Sequence, residues 1–506
     1  MATPEHERTL RAVRASVDTT VATAEAADGR SPAFPVDATR VARGPGGCLY
    51  RVDPPPEVAL VEDAPVRLTA GGRHVRGRLG PVADESCLVE TEVDLGPRLL
   101  DGRLVVDNAG PVRALADRLA ALSGAAPYPP GFRFDQAALV LGAPGGRLRD
   151  RIAEAAGAAD GWSLDDRAGD ALHAALRQRR AWVQSPPGGD AAASVALVAR
   201  LLDRLLQLDA TVLFAAPSGH GVDRTVGAVC ERLAGAGQLR SGLVQRVGPL
   251  APGAVRDRYG PYLEAATIAA DLRAGLDERL DALDRVDSRL RFEEAEWRVA
   301  ELDRDTAAVD DRLGQAVGGR LARRPYEDPD TLVLRRHALR EQRRSARQAA
   351  DRIALELAGG GRVPSVEEVL GEGGGRSPGE RRRKLAEARD ELLEARDGIE
   401  EALRRRCRLA AATTRSAYTR DLPRTDYDVV VMAGPATIPE SYYLAGLSTR
   451  SVVSVGDAGG DGPEPAGTPG RAAPHAEGTL RRGRPPTDKP GGAHPVRPRW
   501  RPGARS

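Results

Sequence analysis

Two heptad-repeat seams lie inside an alternation of strands and helices, and this arrangement limits the chain to few folds. Leu276, Leu283, Leu290 and Trp297 recur every seven residues, with Leu280 and Val286 beside them, and Leu385, Leu392 and Ile399 repeat the interval later. Such spacing keeps one apolar seam facing a partner helix. In the later stretch Ala388, Ala395 and Ala402 hold the intervening core positions, which lets a partner approach closely. A glycine-rich break over 359–375 precedes Pro378, so the chain is expected to turn back there. The pattern predicts an antiparallel helical hairpin, a coiled-coil insertion over 254–405, with Leu332–Leu357 as a further helix.

Buried-strand candidates flank the insertion on both sides. Before it, Ala181–Gln184 reads as a strand, Pro186–Asp190 as a turn and Ser194–Leu208 as a helix. Thr211–Ala215 follows as a second strand and Thr225–Leu233 as a second helix. After it, Leu409–Thr413, Tyr427–Met432 and Ser451–Val455 are short apolar runs. Strand, turn, helix, strand is the opening of a parallel sheet. One α/β domain is therefore expected from 161–253 and 406–457, with the hairpin inserted.

Upstream, residues 4–28 read as an alanine-rich polar helix within a leading segment 1–35, and Pro32, Pro35 and Gly44–Gly47 break the pattern. Over 36–110 come short β-rich runs: Cys48–Val52, Glu57–Val61, Val66–Thr69, His74–Leu79, Cys87–Thr91 and Arg103–Val106. Their spacing predicts a small antiparallel β-barrel. Pro111 then opens a helix with Val112, Leu115, Leu119 and Leu122 on one face, the first of the connecting helices of 111–160. From 458 to 506 Pro, Gly and Arg dominate, hydrophobic periodicity is lost, and the tail is expected to be disordered.

Composition narrows the function classes. The formal charge is +2, so the whole chain has no bulk attraction for nucleic acid or membrane, and any such patch must be local. Lys384 and Lys489 are the only lysines among 74 basic residues, an arginine bias of the kind that GC-rich coding produces. Cys48, Cys87, Cys230 and Cys407 are far apart and form no paired motif, which points to neither zinc nor a disulfide framework. No apolar run reaches the roughly 18 residues of a membrane span, so no membrane partner and a cytoplasmic location are expected.

The most informative segment runs from Arg180 to Arg224. Its first turn reads Ser185-Pro186-Pro187-Gly188-Gly189-Asp190-Ala191-Ala192. The turn after the second strand reads Ala216-Pro217-Ser218-Gly219-His220-Gly221-Val222-Asp223. Past the insertion come Ala412-Thr413-Thr414-Arg415-Ser416, then Tyr427-Asp428-Val429-Val430-Val431-Met432-Ala433-Gly434-Pro435-Ala436, then Ser451-Val452-Val453-Ser454-Val455-Gly456-Asp457. In order and strand context this series resembles the Upf-like branch of superfamily 1 helicases, whose RecA-like P-loop domain carries an accessory barrel.

That resemblance implies ATP and magnesium as the family's cofactors, and it shows what this chain lacks. The family's first turn is G-P-P-G-T-G-K-[ST], in which backbone N–H groups cradle phosphates, Lys reaches the terminal phosphates and the hydroxyl binds magnesium. Pro186, Pro187, Gly188, Gly189, Asp190, Ala191 and Ala192 form the degenerate nucleotide-binding segment, with Ala191 and Ala192 at the Lys and hydroxyl positions. The magnesium-binding Asp and water-activating Glu correspond to Ala433 and Gly434. The family's glutamines have no counterpart near Leu164–Ala168 or after Asp457, and no second RecA-like domain follows. No catalytic residue, metal ligand or bound cofactor is therefore expected. By the same resemblance Pro217, Ser218, Thr413 and Thr414 are the candidates for contacting a nucleic-acid backbone. The alternative for the Pro217–Asp223 loop is a plain strand-to-helix turn.

Three functional readings follow. The first is a catalytically inactive helicase-like protein that binds single-stranded DNA or RNA or acts as a scaffold. The second is a divergent or truncated ATP-dependent helicase. The third is a coiled-coil scaffold that holds a protein partner through the helical hairpin.

Overall fold

The computed structural model describes residues 4–27, 32–82, 86–124, 131–141, 173, 177–184, 191–317, 328–358, 368, 378–434 and 437–456. The Pro186–Asp190 turn, the Leu164–Ala168 segment and the tail from 457 lie outside them. Among the described residues no helix is long and apolar enough to cross a membrane.

Six antiparallel strands close into a barrel in the order β1-β2-β5-β4-β3-β6. They are β1 (Ala33–Gly44), β2 (Gly47–Val52), β3 (Pro65–Ala70), β4 (Arg73–Val82), β5 (Cys87–Thr91) and β6 (Arg98–Val106). Alternation places Phe34, Val36, Tyr50, Leu68, Leu79, Val89 and Leu104 inside. The chain from Ala33 to Gly44, read as a break, is the first strand. Glu57–Val61, read as a strand, is loop. Pro35 is tolerated because β2 joins β1 only from Ala38 onward, so that part of β1 has a partner on one side alone.

The second sheet is wholly parallel, in the order β7-β12-β11-β8-β10-β9. Its strands are β7 (Arg180–Gln184), β8 (Val212–Ala216), β9 (Val244–Val247), β10 (Leu409–Thr413), β11 (Tyr427–Ala433) and β12 (Ser448–Gly456). Strand β9 gave no separate signal in the sequence; at four residues it is a short edge strand. Both faces are covered, so the strands read as continuous apolar runs. One face packs on α4 (Ala191–Gln207), α5 (Gly219–Gly235) and α6 (Ala254–Leu263), with Leu202, Leu205 and Val226 in the interface. The other packs on α1 (Pro4–Ala27), α2 (Gly110–Gly124), α3 (Phe134–Leu139), α11 (Ser416–Thr419) and α12 (Ile438–Gly446). The N-terminal helix is thus part of this layer: Leu10, Val13 and Val17 are buried in it.

The insertion leaves between β9 and β10. Helix α7 (Ala265–Val317) runs 53 residues, about 80 Å at 1.5 Å per residue. Two helices return along it, α8 (Pro329–Ala358) and α9 (Pro378–Asp397), and α10 (Ile399–Arg406) leads back into β10. Ion pairs fix the antiparallel sense. Arg347 meets Glu296 and Arg336 meets Asp310 on the outer half, while Arg396 meets Asp277 and Arg389 meets Asp284 on the inner half. The inner seam is the expected one, with Leu283, Val286, Leu290 and Leu385 buried together. Beyond it Val299, Leu302 and Val309 are buried, and Trp297, expected on the seam, is 60% exposed. The heptad shifts phase because α7 turns a different face to α8 than to α9.

Candidate functional site

In a parallel sheet covered by helices on both faces, ligands meet the carboxyl ends of the strands where neighbouring connections leave toward opposite faces. Here β8 and β11 are neighbours; β8 leads into α5 on one face and β11 into α12 on the other. The two turns there are Pro217–Ser218 and Gly434. Ser218 caps α5: its backbone is extended (φ −124°, ψ 147°) and its Oγ accepts a 3.2 Å hydrogen bond from the Gly221 amide. This satisfies one of the unpaired amides of the helix start. Gly434 has φ 86°, and its amide donates to the Val455 carbonyl at 2.7 Å. A Cβ at Gly434 would lie 3.1 Å from both Cγ and Cδ of Pro217. A side chain at 434 would therefore need the proline ring to give by a few tenths of an ångström.

The neighbouring part of the edge is occupied by the barrel. Two adjacent carboxylates from the β2–β3 loop, Glu62 and Asp63, are 8% and 4% exposed. Glu62 accepts from the Gly219 amide at 2.9 Å and from the Val82 amide at 3.1 Å. Gly219 opens α5, so the Glu62 charge stands at the positive end of a helix dipole. Asp63 is held at φ 65°, a left-handed conformation that Asp tolerates better than most residues. Its Oδ2 accepts from the Thr413 hydroxyl at 2.8 Å and the Ser416 hydroxyl at 2.5 Å, and its Oδ1 from Arg420 Nε at 2.9 Å. Arg420 Nη2 reaches Glu90 of β5 at 2.7 Å.

The two acids are shifted in opposite directions. Burial raises the Glu62 carboxyl above its ordinary range, against the pull of the two amides. Burial pushes Asp63 up as well, but the Arg420 guanidinium and the Ser416 and Thr413 hydroxyls outweigh it and hold the carboxyl low.

Pro217 packs beside Gly434, and Ser218 is a helix cap. Thr413 is buried against Asp63. Thr414 is buried too, with its amide and hydroxyl both donating to the Ala216 carbonyl, at 2.8 and 3.2 Å. The polar atoms of Thr413 and Thr414 are thus used to join β10, β8 and the barrel. Asp223 is buried beside Arg246, accepting from its Nε at 2.7 Å and from the Ala251 amide at 2.9 Å. Of the first turn, 186–190 lies outside the described residues, and Ala191 and Ala192 begin α4. The residues that organise this edge, Glu62, Asp63, Glu90 and Arg420, carried no signal in the sequence, since nothing local couples an Asp to a Thr 350 positions away.

Beside this network lies a cavity of about 200 Å³, where the Gly44–Gly47 turn of the barrel meets the root of α7; Arg246, Arg256, Arg420, Glu90 and Glu264 line it. No family model matches the chain, and no curated protein matches it either.

Proposed function

We propose that this chain is a helicase-like protein without ATP hydrolysis, a scaffold in which a parallel-sheet platform carries a barrel and a helical arm of about 80 Å. The observation that carries the reading is the packing of Pro217 against Gly434. By the resemblance, residues 433 and 434 are where the acids of phosphoryl transfer belong. The chain has Ala and a left-handed Gly there, with a proline ring 3.1 Å from where a Cβ at 434 would lie. Glu62 takes the first amide of α5, a group that in an open crevice could bind an anion. These residues do not fit a magnesium nucleotide. Phosphoryl transfer depends on placed charge, and losing one such group can cost on the order of 10³–10⁵ in rate.

Strand order supports the helicase-like descent. The strand bearing the proline-rich turn, β7, lies beside β12 with its Gly456, then β11 with Ala433, then β8 with the Pro217 turn, then β10 with Thr413, so the five motif strands are contiguous and point one way. Thermal unfolding with and without Mg-ATP tests the reading, because a ligand raises stability only in proportion to its binding. No shift and no phosphate release are expected; saturable micromolar binding or turnover would sink it in favour of a divergent helicase. The reading of the arm as a holder of protein partners draws on α7, which presents one face to α9 and another to α8.

A further inference from the structure

The outer wall of the barrel carries more positive charge than it pairs. In the β3–β4 ladder Arg67 and Arg76 are directly opposite one another, so both side chains leave the same outer face. Arg78 lies two residues beyond Arg76 and shares that face. Like charges facing across a ladder are destabilising. Yet among the described residues no ion pair engages Arg67, Arg76 or Arg78, whereas arginines along the arm are regularly paired, as in Arg347–Glu296 and Arg396–Asp277.

The three arginines line an open groove of about 950 Å³ in which five arginines face three carboxylates. The other two arginines are engaged, since Arg420 holds Glu90 at 2.7 Å and Arg113 holds Asp107. Among the described residues this leaves three unpaired guanidinium groups facing Glu92, the one lining carboxylate without an ion pair. The acids stand on both sides of the triad. Glu90 is across the ladder from Arg78, and Asp107 donates its amide to the carbonyl of Pro65, which is opposite Arg78 on β3. Positive potential is therefore concentrated on the triad and falls off across the strands.

We infer that this wall is a binding site for a compact anion with two linked phosphoryl groups, a diphosphate either free or carried by a small metabolite. Side chains directly across a ladder have Cβ atoms about 4.5–5.5 Å apart, and diagonal ones about 7–8 Å, so the three guanidinium groups share a small footprint. Each presents a planar fork that takes two phosphate oxygens. Three forks call for more oxygens than one phosphoryl group offers, and two linked groups are the smallest such anion that meets all three. A long polyanion crossing the wall meets the flanking carboxylates, whereas a short one stays on the triad. No aromatic residue lines the groove, so there is no platform on which a base could stack, and recognition is confined to the phosphoryl groups. An acidic peptide is disfavoured because no exposed backbone edge accompanies the charges in a closed barrel. The inference is independent of the sheet crevice, which other residues, Pro217 and Gly434, border.

The test is isothermal titration calorimetry of the full chain with sodium pyrophosphate in the absence of divalent cations. Arg67→Ala/Arg76→Ala/Arg78→Ala is compared with the arm variant Arg289→Ala/Arg383→Ala/Arg405→Ala, which removes equal charge from exposed sites. The parent should bind saturably, the arm variant should match it, and the wall variant should bind at least about tenfold more weakly. Arg76→Lys keeps the charge but loses the fork, and should bind about threefold more weakly or worse, so the outcome does not hang on the folding of the triple variant. Absence of saturable binding by the parent, equal affinity of the wall variant and the parent, equal loss in both triple variants, or parent-like binding by Arg76→Lys overturns the proposal. An ADP titration separates the two sources: wall-dependent binding comparable to that of pyrophosphate means that a carried diphosphate enters the groove, and its loss means that only the free anion does. Wall-dependent binding of ADP about tenfold tighter than pyrophosphate, or of an oligothymidine tighter than pyrophosphate at equal phosphate concentration, overturns the assignment to a compact diphosphate.

Discussion

The Glu62 carboxylate accepts a 2.9 Å hydrogen bond from the amide of Gly219, 157 residues away, and so pins the barrel to the first turn of α5. Asp63 beside it makes the matching contact with Thr413, Ser416 and Arg420. Together the two acids turn a sheet edge that could receive an anion into an internal joint.

Asp63→Asn keeps a residue that accepts the left-handed backbone at 63 but removes the charge that Arg420 faces. Breaking a buried ion pair costs about 3–5 kcal/mol, and Glu90 still serves Arg420, so a loss near about 3 kcal/mol is expected. Asp63→Ala should lose about 1 kcal/mol more through backbone strain. Urea midpoints of the two variants and the parent check both figures.

The pH dependence of stability should separate the two acids. Asp63 has a lowered carboxyl, so its contribution is present above its ordinary value of 3.8 and is lost as pH falls through the folded value. Glu62 has a raised carboxyl, so its contribution is present below its ordinary value of 4.5 and is lost as pH rises through the folded value. Asp63→Asn should flatten the acid limb of a stability-versus-pH curve, and Glu62→Gln should flatten a decline on the alkaline side of 4.5. Urea titrations across the pH series read both limbs; the opposite assignment would refute the electrostatic account.

Gly434→Ala should destabilise the sheet domain, because an L side chain at φ 86° costs about 1–2 kcal/mol and its Cβ also meets Pro217. Pro217→Ala removes Cγ and Cδ, so part of the penalty should disappear in the double variant while the backbone share remains. A double-mutant cycle from thermal melts measures that coupling.

On the barrel, replacing one member of the Arg67–Arg76 pair should raise stability. Arg67→Thr removes a like-charge contact worth about 0.2–1 kcal/mol and adds a β-former. The gain should shrink at high salt, where exposed charges are screened. Melting temperatures at low and high ionic strength test it.

Helix α7 makes a local distinction. Trp297 is 60% exposed, so Trp297→Ala should change stability by less than about 0.5 kcal/mol, whereas Leu290→Ala, on the buried seam, should cost about 2 kcal/mol or more. Helicity monitored during melting compares the two. Seven-residue spacing alone ranked these residues alike, because periodicity registers a face but not a change of partner along one helix.

What the sequence by itself determined were the elements whose signals are local. The apolar strands β8, β10 and β11, the helix that Pro111 opens, the inner heptad seam and the α/β–insertion–α/β order all follow from periodicity and breaker residues within a few turns of each other. Even the barrel showed most of its strands, although Pro32 and Pro35 concealed the first, since an edge position that tolerates proline becomes visible only once its neighbours are known. Tertiary structure alone decided the partners. Thr413, Thr414 and Ser218 carry hydroxyls suited equally to a ligand or to the protein. Folding turned Thr413 and Thr414 inward and gave Ser218 to a helix start, because Asp63, the Ala216 carbonyl and the Gly221 amide stand within hydrogen-bond distance of them. A buried polar group must find a partner, but which one it finds depends on contacts between segments far apart in the chain, and no local pattern records that choice.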